Sequence, residues 1–311
     1  MGAELLFPTW EFLTRVSREV MSLPTVEVDD ELRGWSWASP PVSSPPGIPL
    51  GVSDITSGFC STGRDVYLRY VMKEREEDNS VLQVGRLVHS VFSWVIEGVK
   101  KIMFCRGMSV TGDDLEREMK VLGEEIERRI LSKYELIDKD KREWLFRKLW
   151  GKGTRTYVAA LEEAKSKSRF FRTDSLVYAT VPVLSEFPID GSLIGLSPAL
   201  RIDALMPPHM LMELKTRRPR HVFEITLAGY ALAFESQYRT PIDYAILTYI
   251  NIRWGREVYA RPNVIPISQS LREEFIELRD SRKEIITYGI DPGKPPECSE
   301  ECPYRRICGE R

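Results

Sequence analysis

The chain has 311 residues, 42% hydrophobic and 10% aromatic, enough to bury a sizeable core in one large domain or two small ones. Forty-four basic against forty-six acidic side chains give a formal charge of -2, which excludes a globally basic nucleic-acid-binding protein and confines any such surface to a local patch. No apolar run approaches a membrane span, and the first residues lack the basic start and apolar stretch of a signal peptide, so a cytoplasmic protein without membrane attachment is expected.

Residues 1 to about 25 read as a short helix with Trp10, Phe12, Leu13, Val16 and Val20 on roughly one side. Pro, Ser and Gly dominate from there to residue 58. Each Pro lacks an N–H and restrains the residue before it, so 1–58 is expected to form a helix and an extended arm lying over the core. Val84, Val88, Val91, Val95 and Val99 recur at helical spacing and predict a buried helix from Val81 to about Lys101, with Gly85 and His89 on a neighbouring face. Residues 113–170 are charged and helical, with one stripe of Leu115, Met119, Leu122, Ile126 and Ile130, and predict an insertion of surface helices over about 102–172.

From Ser175 the period shortens. Val177 to Leu184 reads as a strand, Leu193 to Met206 as a second after an Asp190-Gly191 turn, and Met210 to Lys215 as a third after Pro207-Pro208-His209. A helix over 221–237, a buried strand over Tyr244–Ile250, a strand beside it over Arg256–Ile267, and a helix from about Gln269 to Tyr288 follow. These complete a core expected to span 59–290. A Pro-rich linker then opens a cysteine tail over 291–311.

On a strand Glu213 and Lys215 share one face and Leu214 takes the other. If the preceding strand pairs antiparallel, Asp203 arrives beside them. Two carboxylates suit a hard divalent cation such as Mg²⁺ or Mn²⁺, and an adjacent ammonium suits hydrolysis of a phosphodiester. His89 is either a core histidine or a further ligand, and Tyr230 either a packing residue or a hydroxyl in the same pocket. Arg201, Arg217, Arg218 and Arg220 form either a basic rim for DNA phosphates or a solvated charge run. Among aromatics, Tyr67, Trp254 and Tyr304 are candidates to stack on unpaired bases.

Three of the five cysteines, Cys298, Cys302 and Cys308, crowd the C-terminal end, and Cys60 is the candidate fourth ligand of one site. The residues alone leave that site open to iron–sulfur, to a tetrahedral zinc or, in a thermophile, to disulfides. Cys105 reads as a spare, buried or inert thiol.

A His on a helix, an Asp on a strand, Glu-x-Lys on the next strand and a Tyr on the following helix resemble, in that order, the PD-(D/E)xK nucleases of the RecB type. One cysteine before the His helix and three at the C-terminal end narrow the resemblance to iron–sulfur RecB-like nucleases, including the CRISPR-associated nuclease family four. The stretches Ile48-Pro49-Leu50-Gly51-Val52-Ser53 and Cys60-Ser61-Thr62-Gly63-Arg64-Asp65 look like its archaeal type I-A variant. The resemblance implies an α/β fold: a RecB-like, restriction-endonuclease-like core of a mixed central sheet flanked by helices, with a helical insertion and an iron–sulfur subdomain. It implies His89, Asp203, Glu213 and the Leu214 carbonyl as ligands of Mg²⁺ or Mn²⁺, Lys215 as the catalytic lysine, Tyr230 as a further active-site residue, and a 4Fe–4S cluster on Cys60, Cys298, Cys302 and Cys308.

The implied activity is a Mg²⁺- or Mn²⁺-dependent deoxyribonuclease that processes single-stranded or splayed DNA ends for CRISPR spacer acquisition, beside CRISPR integrase and other adaptation proteins. The family commonly carries Gln four residues before the Tyr, where this chain has Thr226. That departure supports an alternative reading, a non-catalytic DNA-binding or scaffold subunit of the same complex.

Overall fold

The computed structural model describes residues 6–167 and 172–310. Helix α1 (Trp10–Ser22) starts at Thr9, whose hydroxyl accepts the Phe12 N–H at 3.4 Å, and buries Phe12, Leu13 and Val16. The Pro-rich arm then winds over the core through short turns and α2 (Val52–Ile55), burying Leu50, Val52 and Ile55, as its alternation of apolar and Pro residues allows. Helix α3 (Arg64–Tyr70) follows. Helix α4 (Ser80–Arg106) is capped by Asn79, whose side chain accepts the Leu82 N–H at 2.9 Å, and buries the expected valine row at Val88, Val91, Val95 and Val99.

The charged region builds α5 (Gly112–Ile130) and α6 (Lys139–Lys167). A surface insertion was the expectation; instead both helices sink their apolar faces into the core under the sheet. Leu115, Met119, Ile126, Phe146, Tyr157 and Leu161 share one cluster with Ala204, Met212, Leu214 and Ile246 of the strands. Charge density marked the outer faces of these helices, while a stripe of one residue in three or four is enough to bury the inner ones.

Residues Val177–Thr180, expected to begin a strand, belong to helix α7 (Thr173–Thr180). Its buried residues Leu176, Val177 and Thr180 follow helical spacing, and the Thr180 hydroxyl donates to the Leu176 carbonyl at 2.8 Å, so packing overrides the β-branched composition. Strand β1 (Leu184–Ile189) starts only afterwards. The expected second strand is shortened in the same way. Ser192–Ile194 form a 3-10 turn closed by Gly195 at φ 70°, and β2 runs over Leu200–Met206.

Strand β3 (Met210–Lys215), helix α8 (Val222–Tyr238), strands β4 (Tyr244–Arg253) and β5 (Glu257–Pro266), helix α9 (Gln269–Tyr288) and helix α10 (Arg305–Glu310) complete the chain. The five strands lie in the order β1-β2-β3-β4-β5, antiparallel except for the parallel pair β3–β4, which α8 connects. The fold is thus mixed α/β, with helices on both faces of the sheet. No helix among the described residues is long and apolar enough to cross a membrane.

Helix α8 is buried along nearly its whole length, from Phe223 to Ser236. Gly229 lets α9 approach closely, because a Cβ there would stand 2.3 Å from the Phe275 ring. At the far end of α8 the Glu235 carboxylate, fully buried, accepts from Arg272 of α9 at 2.7 Å and from Arg33 of the arm at 3.1 Å. This buried cluster ties arm, α8 and α9 into one layer.

Candidate active site

The β1–β2 ladder pairs Ser185 with Ala204 and Phe187 with Ile202, and Glu186 and Asp203 fall between them. On a regular strand Leu200, Ile202, Ala204 and Met206 would share a face. Here Leu200 and Ile202 pack toward α8 and α9, while Ala204 and Met206 pack toward α4 and α6. The alternation breaks at Asp203, opposite Glu186, whose φ of 49° is left-handed. At this break both carboxylates turn toward α4.

There they meet His89. Its Nδ1 lies 2.6 Å from Asp203 Oδ1, and the other Asp203 oxygen accepts the Leu214 N–H at 2.6 Å. The antiparallel β2–β3 pairing expected from the sequence brings Glu213 alongside, with its Oε1 accepting from Lys215 Nζ at 2.8 Å. Gly85, one turn before His89, leaves room for the strand end, since a Cβ there would press on the Thr216 hydroxyl at 3.3 Å. Tyr230 of α8 closes the cleft from the other side, and the cavity so formed measures about 810 Å³.

Charge in the cleft is unbalanced. Burial pushes Glu213 up, Asp203 adds to this and Lys215 only partly offsets it, so its carboxyl titrates at about 7. Burial also opposes the Asp203 anion, but the His89 charge and hydrogen bond, the Leu214 amide and Lys215 outweigh it and hold Asp203 below the usual carboxylate range. For His89, burial disfavours the cation, yet Asp203 and Glu213 overcome this and raise it. Glu186 is raised by burial and then by Asp203, and Tyr230 well above its ordinary value by burial and then by the carboxylates Glu213, Asp203 and Glu186.

The ligating atoms of His89, Glu186 and Asp203 all lie within 4.8 Å of one another. Glu186 escaped the sequence reading because nothing local marks it: a lone Glu in a short strand looks like a solvated position, and only the left-handed turn aims it inward. Three carboxylates against one lysine and one histidine suit a hard divalent cation with oxygen and imidazole ligands.

The arginines divide. Arg217 is stacked between the rings of Phe59 and Phe223, at 4.2 and 4.8 Å, and donates from Nη2 to the Ser57 carbonyl at 2.9 Å. Its guanidinium titrates down at about 10, through burial and then Arg220. Arg218 and Arg220 are exposed, Arg220 being tied to the Gly58 carbonyl. Arg201 is exposed on β2, two residues before Asp203, and donates to the Glu186 carbonyl at 3.3 Å. Thr226 does not line the cleft. Its hydroxyl is buried against that of Thr56, at 2.9 Å, and donates to Val222 at 3.0 Å.

Cys60, Cys298, Cys302 and Cys308 fall in one lobe between α3 and the C-terminal end, though no three of their sulfurs come within 4.8 Å of one another. Cys302 and Cys308 are buried with Leu68 and Tyr304. Burial, opposed by the Tyr304 amide and reinforced by Cys298 and Cys60, pushes the Cys302 thiol up to about 11. Arg64 donates from Nη1 to Cys308 Sγ at 2.9 Å and from Nη2 to Asp291 at 2.8 Å, so a cation already faces the sulfurs. Cys105 lies elsewhere, exposed on α4, so of a spare, buried or inert thiol only the buried alternative is corrected.

A family model described as CRISPR-associated exonuclease Csa1 matches residues 6–311. A protein named CRISPR-associated exonuclease Csa1 from Saccharolobus solfataricus is 37% identical over 306 residues, covering 97% of this chain and 99% of its own length. One of the same name from Thermoproteus tenax is 29% identical over 283 residues, covering 91% and 92%.

Proposed function

Because the chain belongs to the CRISPR-associated exonuclease Csa1 family, we propose that it is a Mg²⁺- or Mn²⁺-dependent deoxyribonuclease with the PD-(D/E)xK chemistry of RecB-like nucleases, processing DNA ends for CRISPR spacer acquisition beside the integrase and other adaptation proteins. One observation carries this reading: His89, Asp203, Glu213 and Lys215 come from three separate elements, a helix and two strands, and meet in one cleft in which both carboxylates are buried.

His89, Asp203, Glu213 and the Leu214 carbonyl would hold the cation, with Glu186 as an additional carboxylate. When bound, it would supply Lewis-acid polarisation of the phosphodiester and a more acidic water. The chain's own groups do the rest. Asp203 fixes the His89 ring through Nδ1 and is itself fixed by the Leu214 amide. Lys215 places an ammonium beside Glu213, where it orients the attacking water and meets charge developing on the phosphate. Tyr230 closes the wall opposite α4 and limits entry of bulk water. Hydrolysis consumes one water and yields a phosphate monoester and a hydroxyl end.

We further infer that Cys60, Cys298, Cys302 and Cys308 hold a 4Fe–4S cluster that joins the two ends of the catalytic unit. The Arg64 guanidinium beside Cys308 favours a thiolate there, whereas the buried Cys302 thiol, up at about 11, would lose its proton on ligation to the cluster iron. The scaffold reading rests on the Gln that this chain lacks at Thr226, and the Thr226 hydroxyl, which faces Thr56 rather than the cleft, does not take that Gln's place.

Anaerobically purified protein incubated with end-labelled single-stranded and splayed DNA tests the proposal. Cleavage that needs Mn²⁺ or Mg²⁺ and falls about 10²–10⁴-fold in Lys215→Ala is expected. A folded, cluster-loaded wild type that binds DNA without cutting it would return the scaffold reading.

A further inference from the structure

Beyond the catalytic cleft lies a larger trough of about 1220 Å³. Val81, Thr216 and Arg217 line both cavities, so the two adjoin over the end of β3. The trough's floor is one face of the β4–β5 pair, where Tyr249 stands opposite Arg261 and Asn251 opposite Tyr259. Polar and aromatic side chains alternate there where the paired strands run out beyond α8. At the far end Trp254 is 38% exposed on the β4–β5 turn, braced by the Trp144 ring at 5.8 Å and with the Lys141 ammonium 5.8 Å from its own ring.

We propose that this trough is the track of a single DNA strand, which stacks bases on Trp254 and Tyr259, sets phosphates against Arg261, Arg218 and Lys141, and delivers its end past Arg217 to the cleft. The inference rests on the nuclease reading and adds the surface that holds the strand and the direction from which it arrives. Of the three aromatics that the sequence offered, Tyr304 is buried and Tyr67 packs with the cysteine lobe, which leaves Trp254. A single strand suits the trough better than a duplex, because only unpaired bases present a face to stack on the Trp254 ring.

Asp138, Glu224 and Glu301 line the same trough, so its charge is only slightly positive. Stacking therefore carries more of the affinity than counterion release. With at most four cations engaged, the slope of log affinity against log salt stays shallower than about -3.

Fluorescence anisotropy of labelled oligo-dT of increasing length, in EDTA so that nothing is cut, tests the track on the whole protein. Affinity should rise with length until the trough is filled, and Trp254→Ala and Arg261→Glu should each weaken the long oligonucleotides about ten-fold or more, with melting temperature unchanged. Photo-crosslinking through 5-iodouracil should mark the peptides holding Trp254 or Tyr259. Unaltered affinity in both variants, crosslinks confined to other surfaces, tighter binding of duplex than of single strands, or tighter binding of RNA than of DNA would each overturn it. Trough-dependent binding without cleavage in metal would sink the nuclease reading alone, whereas cleavage with affinity unaltered in the variants would sink only the track.

Discussion

Acidifying the protein should weaken its hold on a divalent cation in a way set by Glu213. Its carboxyl is pushed to about 7 by burial and by Asp203, so below that pH it is protonated, and a cation must displace the proton to use the oxygen. Each unit of pH below 7 then lowers apparent affinity about ten-fold, or about 1.4 kcal/mol. The sign is the same for His89, which is raised by its carboxylate neighbours against the pull of burial and must also lose a proton to ligate. Where both are protonated the fall steepens toward about a hundred-fold per unit. Asp203, held low, contributes nothing in that range. Titration of Mn²⁺ into metal-free protein, followed by the electron paramagnetic resonance of the free ion from about pH 5.5 to 8.5, measures this directly, with affinity levelling once Glu213 and His89 are both deprotonated. Glu213→Gln should bind more weakly throughout and lose one proton's worth of slope. Wild-type affinity independent of pH below 7 would refute the argument, as would a variant with undiminished slope.

Glu186→Gln should lower Mn²⁺ affinity about ten-fold in the same titration, and an unchanged affinity would remove Glu186 from the ligand set. Cys302→Ser, purified anaerobically, should lose the iron, sulfide and visible absorption expected of the wild type; a wild type carrying one zinc and no iron would replace the cluster by a zinc site. Glu235→Ala leaves the buried Arg272 guanidinium without its carboxylate and should cost about 3–5 kcal/mol in urea unfolding. A loss under about 1 kcal/mol would mean that the backbone carbonyls of Ile242 and Leu32, which Arg272 also reaches, suffice.

The elements legible in the sequence are those whose periodicity and packing agree. The valine row of α4, the Met210–Lys215 strand and the bounds of α9 needed no tertiary knowledge, because each buries one face and local pattern reports it. Alternation likewise placed Glu213 with Lys215, and antiparallel pairing brought Asp203 to them. The failures were non-local. Helix α7 is β-branched in composition and is made helical by the core against which Leu176 and Val177 pack. Glu186 owes its place to a backbone turn in β1 that matters only because Asp203 stands opposite. The orientation of Thr226 depends on Thr56, 170 residues earlier in the chain.

Lys215 has two alternative partners, and the balance between them links binding to catalysis. In the protein alone its ammonium is paired with Glu213, where with His89 it offsets that buried carboxylate, and the offset is incomplete, as the shift to about 7 shows. A divalent cation held by Asp203, Glu213 and His89 would supply that charge more fully, and repulsion between the two cations would free Lys215 toward the cleft, where a phosphate would attract it. On the metal-dependent reading the lysine would compete with the metal and not hold it. Lys215→Met should retain Mn²⁺ affinity, or gain some above pH 7, while losing cleavage, whereas a lysine needed to shape the site would lose both together.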